Sequence, residues 1–146
     1  MTAPTPLGAM HDAMHDAAPV AAHAAPAPTR GDGVEWVVEA FGCDGARLRD
    51  PVALGALVGE MIAALALQPV AAPLWHGFPG AGGVTGLVLL AESHLALHTF
   101  PEHESLCLNL FCCTPRPEWD FAGGLARAVG ATRVEVRRLE RRYGAS

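Results

Sequence analysis

The chain has 146 residues, a length that suits one domain, with 17% charged side chains and a formal net charge of -5. Its acidic residues are dispersed and it has no basic stripe, which argues against nucleic acid as a partner. No apolar run reaches the roughly 18 residues of a membrane-spanning helix. The first residues lack the basic start and apolar core of a secretory signal, so a cytosolic protein is expected. Cys43, Cys107, Cys112 and Cys113 have no metal-ligand spacing, and in a reducing compartment they read as free thiols.

Residues 1–33 are rich in Ala, Pro, His and Met without strand or helix periodicity, the composition of a disordered tail. His11 and His15 would share a face of a helix and could hold a metal, but two tail histidines seldom bind one tightly, and no metal is expected. The folded domain is expected over 34–146. Val34–Phe41 alternates as a strand, and Gly42–Gly45 ends it with turn chemistry. Asp50 caps a helix with Pro51 at its first position, and Val52–Leu67 continues with Leu54, Leu57, Val58, Ile62 and Leu65 as the apolar stripe. Val70–Phe78 reads as a strand and 79–83 as a flexible loop. Strands are predicted over Val84–Ala91, Leu95–Phe100 and Leu106–Cys113, a helix over Pro115–Val129 despite Gly123 and Gly124, and a last strand over Thr132–Leu139. The order predicts an α+β two-layer sandwich, a mainly antiparallel sheet with two helices on one face.

Side chains alternate across a strand. Val34, Trp36, Val38 and Ala40 make one apolar face; Leu95 and Leu97 make another; Leu106, Leu108, Leu110 and Cys112 a third. The opposite faces gather Glu39, His98, Asn109 and Cys113 with Phe41, Phe100 and Phe111. That mixture is too apolar for a face open to water, and a site or a homodimer interface there would explain it. Cys112 falls with the leucines as a small buried hydrophobe, whereas Cys113 falls with His98.

The segment Ala91-Glu92-Ser93-His94-Leu95-Ala96-Leu97-His98-Thr99-Phe100-Pro101-Glu102 closely resembles the self-cleavage signature of bacterial S-adenosylmethionine decarboxylase proenzymes, E-S-H-x-x-x-H-T-W-P-E. The resemblance runs from Val34 to Arg142 and takes in Glu39–Cys43, Phe78-Pro79, Val84–Gly86, Leu110–Cys113 and Arg133–Val136. It implies that Ser93 attacks the carbonyl of Glu92, that the chain parts into 1–92 and 93–146, and that residue 93 becomes a pyruvoyl group. That group would form a Schiff base with S-adenosylmethionine and draw off the electrons of decarboxylation, supplying aminopropyl groups for spermidine. By the same resemblance His98 and Thr85 assist processing, Cys113 donates the proton to the α-carbon, Glu39 is the acidic residue near the site, Glu102 holds the ribose hydroxyls and Phe78 stacks on adenine. The resemblance further implies a four-layer αββα homodimer with sheets facing each other.

Phe100 stands where the family usually has Trp, Thr85 where it has Ser, and Asn109 and Cys112 where it has Asp and Thr; the loop after Phe78 is one residue longer. Relatives on this scaffold act on ornithine or arginine, which is the alternative substrate class, and an unprocessed ligand-binding homologue is the non-enzymatic one. Ser93 and His98 have opposite parity on one strand, so a kink or turn with strain is expected around Glu92–Ser93. Thr99 reads as a strand residue, His103 and Glu104 as a solvated turn, and Cys43 as structural. His94 either orients the cleavage site or faces solvent.

Overall fold

The structure, a computed structural model, describes residues 32–144. The paired histidines of the tail, and residues 1–31 generally, lie outside the described residues. The elements in chain order are β1 (Asp32–Phe41), α1 (Gly45–Leu48), α2 (Pro51–Ala64), β2 (Leu74–Gly77), β3 (Val84–Leu90), β4 (Ser93–Phe100), β5 (Ser105–Cys112), α3 (Phe121–Val129) and β6 (Arg133–Arg142). The six strands form one sheet in the order β2-β3-β4-β5-β1-β6, with every neighbouring pair antiparallel. The expected α+β sandwich is found, with a short third helix, α1, that the apolar pattern did not announce.

Alternation explains the layers. Val34, Trp36, Val38, Ala40, Leu95, Leu97, Leu106, Leu108 and Leu110 point to one side of the sheet and are buried with Leu54, Leu57, Val58 and Met61 of α2 and Phe121, Leu125 and Val129 of α3. Burial of an aliphatic side chain of this size stabilises by about 1.5–3 kcal/mol, so this layer carries most of the fold's stability. Thr99 is a polar member of that side: its hydroxyl donates to Leu48 O (2.8 Å) and accepts from Val84 N (2.8 Å), tying α1 to β3 and β4.

Asp50 caps α2 by accepting from Val52 N (2.8 Å), with Pro51 at the first helical position, as the sequence predicts. The helix stops at Ala64 rather than Leu67, because Ala66 takes a left-handed φ of 50° and turns the chain; Leu65 and Leu67 remain buried past the end. The strand expected over Val70–Phe78 shrinks to Leu74–Gly77. Pro69 and Pro73 lack ladder N–H groups, and Pro69 makes only an isolated bridge with Leu90. The helix expected from Pro115 begins at Phe121: Pro117 disfavours helical backbone at Arg116, and Asp120 supplies the cap by accepting from Gly123 N (2.9 Å). Inside α3, Gly124 leaves room for the ring of Trp119, which a Cβ would strike. At the ends of the sheet, β1 starts two residues before Val34, and β6 runs three beyond Leu139.

Candidate active site

Leu90 pairs with Ser93, so β3 and β4 form a hairpin whose two loop residues are Ala91 and Glu92. The Glu92–Ser93 bond therefore leaves a tight turn, as expected. Neither residue has a left-handed φ, so the expected strain is not stored in that angle. The turn is pinned on both sides. Ala91 N donates to Gln68 O (2.9 Å), and Cys113 N donates to Glu92 O at 3.3 Å. An N–H aimed at the carbonyl next to a serine is the element a tetrahedral oxyanion needs, and such bonds shorten as charge develops. The Glu92 carboxylate accepts from Thr114 Oγ1 and from Arg116 Nη2 (3.0 Å).

Ser93 lies on the helix side of β4, opposite Cys112 in register and half-buried. Leu67, Leu90, Cys112 and Arg116 close a pocket of about 10 Å³ around it, space for about one water. Burial raises the Cys112 thiol above its usual value, partly countered by its hydrogen bond with Ser93. Cys113, one residue past β5, is half-buried, and its carbonyl accepts from Tyr143 Oη (2.9 Å).

A second cluster sits at the other end of the sheet, on the face away from the helices. Thr85 and His98 are register partners and share a hydrogen bond of 2.9 Å between Oγ1 and Nδ1. His98 opens into a cleft of about 240 Å³ that Phe78, Phe100 and Glu102 also line. Phe78 separates it from a cavity of about 610 Å³ bordered by Arg49 and Trp75. Beyond His98 in the same row come Cys107 and then Glu39, roughly 10 Å away across two strand spacings. Glu39 is ion-paired with Arg137. Burial first, and Glu39 second, raise the Cys107 thiol.

The residues singled out from sequence thus fall into two groups: Glu92, Ser93 and Cys113 at one end, and Thr85, His98, Phe78 and Glu102 at the other, with Glu39 in the His98 row. Strand parity puts His98 and Cys113 on one face, but it is silent on which end of the sheet each occupies.

Between the groups runs a network that joins His94 and Asn109, both noted from the sequence, to Glu35 and Arg141, which were not. His94 Nε2 meets Asn109 Oδ1 (3.1 Å), Asn109 Nδ2 donates to Glu35 Oε1 (2.6 Å), and Arg141 pairs with Glu35. Arg141 also lies over the Phe111 ring (5.3 Å to the centroid). His94 is therefore held rather than solvated. Burial works to raise the Glu35 carboxyl, but the hydrogen bonds from Asn109 and Arg141 and the charge of Arg141 outweigh it and hold the carboxyl below its usual value. The signal was present: parity puts Arg133, Arg137 and Arg141 of β6 on the face that Glu35 and Glu39 of β1 share. Of the remaining expectations, Cys43 is buried and its thiol is pushed up to about 11, mainly by burial, in keeping with a structural role. His103 and Glu104 lie in an exposed turn. Among the described residues no cluster of His, Cys, Asp and Glu has metal-site geometry, and no helix is long and apolar enough to cross a membrane.

Comparison with known proteins adds a lineage to this geometry. A family model described as S-adenosylmethionine decarboxylase matches residues 34–142. S-adenosylmethionine decarboxylase proenzyme 2 of Halalkalibacterium halodurans is 31% identical over 112 residues, covering 74% of this chain and 84% of the relative. The S-adenosylmethionine decarboxylase proenzyme of Pyrobaculum aerophilum is 31% identical over 100 residues, 66% of this chain and 77% of its own. That of Acidithiobacillus ferrooxidans is 33% identical over 113 residues, 75% and 81%.

Proposed function

The chain belongs to the S-adenosylmethionine decarboxylase family, and on that premise we propose that it is a proenzyme that cuts itself between Glu92 and Ser93 and then decarboxylates S-adenosylmethionine. The observation that carries this reading is the Glu92 carbonyl, held at a two-residue turn against Cys113 N–H with the Ser93 hydroxyl on the next residue. Ser93 Oγ bonds to the Glu92 carbonyl carbon, the peptide C–N bond breaks, and the hydroxyl proton ends on the Ser93 nitrogen. A base then removes the Ser93 α-proton, the Cβ–Oγ bond breaks, and Glu92 departs as a carboxylate. Water converts what remains at residue 93 to a ketone and ammonia. The residues present fit such a group, because the turn leaves residue 93 as the first of β4, bounded by its register partners Leu90 and Cys112. The ketone supplies an electron sink when the substrate's carboxylate leaves.

Within one chain, Thr85 and His98 are too far from Ser93 to assist it. The uncovered face carries Leu87, Leu89, Phe100 and Leu139 exposed, together with Phe41 and Phe111 half-buried, which is apolar area that a second copy would bury. With two sheets face to face about a two-fold axis lying between them and across the strands, the His98 end of one copy sits over the Ser93 end of the other. In that homodimer the partner's cleft supplies the Thr85–His98 pair for processing. Phe78 offers a stacking surface for adenine, Glu102 a carboxylate for the ribose hydroxyls, and Cys113 the proton for the α-carbon. The Glu102 carboxylate suits a sulfonium cation, whereas that of Glu39 is already engaged by Arg137.

Carbon dioxide release from S-adenosylmethionine, ornithine and arginine tests the substrate. Turnover of S-adenosylmethionine alone is expected; turnover of ornithine or arginine without it would overturn the assignment.

A further inference from the structure

Glu92 is gripped by one short stretch of chain at three points. Its carbonyl oxygen faces Cys113 N–H, and its carboxylate takes Thr114 Oγ1 and Arg116 Nη2. These donors lie within four consecutive residues, which Pro115 and Pro117 stiffen before α3 begins. The ion pair is three-quarters buried on both sides, so water screens it less than a surface pair. Arg116 Nε, moreover, is buried with no hydrogen-bond partner.

We propose that Thr114 and Arg116 are positioning residues for self-cleavage: they hold the Glu92 side chain so that its carbonyl stays on the Cys113 N–H while Ser93 Oγ attacks. Thr114 and Arg116 tie the Glu92 side chain to the stretch that carries the Cys113 N–H, and a small rotation of the Glu92 peptide would carry the oxygen off its donor. The same grip serves the second step. When the Cβ–Oγ bond of Ser93 breaks, the electron pair leaves on the Glu92 α-carboxylate, and Arg116 is the cation already bound to that residue's side chain. This rests on the reading that the chain cuts itself at Glu92–Ser93.

The test follows cleavage of freshly translated full-length chain by mass spectrometry, for the parent, Arg116→Gln, Thr114→Val, Glu92→Gln and the Glu92→Gln/Arg116→Gln double variant. Losing one charge-assisted hydrogen bond on the reacting segment slows cleavage roughly ten- to a hundredfold, so Arg116→Gln should fall in that range and Thr114→Val should slow cleavage less. Because Arg116 acts through the Glu92 carboxylate, the double variant should be no slower than the slower single. A merely structural role predicts that the two effects multiply, and that result overturns the proposal, as does cleavage of Arg116→Gln at the parental rate. Thermal melts identify a variant that does not fold, in which case Thr114→Val and its double with Glu92→Gln decide by the same criterion. If the parent itself stays intact, the cleavage reading falls and this proposal with it; if the parent cleaves and only these variants disagree, this proposal falls alone.

Discussion

Ser93 and His98 occupy the same strand, five residues apart, and point to opposite faces of the sheet. At about 3.3 Å per residue, the separation along β4 is roughly 17 Å, beyond the reach of any general base. If processing needs both, they come from different copies. Co-expressing Ser93→Ala with His98→Ala should therefore yield cleaved fragments from the His98→Ala chain, although each variant alone stays intact. Absence of fragments in the mixed sample, with mixed dimers demonstrated, would place both groups in one chain and contradict the two-copy site.

Cys113 contributes two separable groups, a backbone N–H toward Glu92 and a side-chain thiol. Cys113→Ala keeps the first and removes the second. Fragment formation should continue within a few-fold of the parental rate, while decarboxylation falls about 10²–10⁴-fold, the usual worth of a proton donor. Loss of both in step would mean that the thiol, rather than the backbone, serves cleavage.

The Glu35 carboxyl is held below its ordinary value of 4.5, so its contribution to stability has a defined pH window. A depressed folded-state value means stability that is fully present above about 4.5 and lost as the pH falls through the folded value. Glu35→Gln should lower Tm at pH 7, and the gap to the parent should narrow steadily below pH 4.5, as acid melts would record. A gap that widens in acid would contradict the sign.

Two glycines should respond in opposite directions. A Cβ on Gly124 would strike the Trp119 ring, so Gly124→Ala should cost about 1–3 kcal/mol. Gly59, exposed within α2, has nothing near its Cβ position, and Gly59→Ala should stabilise by about 0.5–1 kcal/mol. Chemical denaturation measures both.

Much of this architecture could be read from the sequence because strand alternation has a fixed period: the faces of Trp36, Leu97 and Leu108 follow from parity alone, and Asp50-Pro51 announces its helix. Boundaries set by backbone conformation were less accessible. The left-handed Ala66 that stops α2 depends on local geometry that the residue type does not announce, whereas the late start of α3 at Phe121 follows from Pro117 and the Asp120 cap, signals that the apolar pattern overran. The candidate site residues were nameable one by one, since the resemblance carries them, Glu92, Ser93, His98 and Glu102 within its long signature. Their grouping was not, because register decides that His98 faces Cys107 while Ser93 faces Cys112. Arg116 went unnoticed for a related reason: nothing in Thr114-Pro115-Arg116 tells which carboxylate it will meet until the β3–β4 turn is built.

The most direct measurement of the central claim is the intact mass of the purified protein under denaturing conditions. Two fragments ending at Glu92 and beginning at residue 93 are predicted, the second lighter than its serine-headed form by one ammonia and reactive toward hydroxylamine as a ketone. A single chain of 146 residues, or a second fragment with a free serine amine, would contradict it.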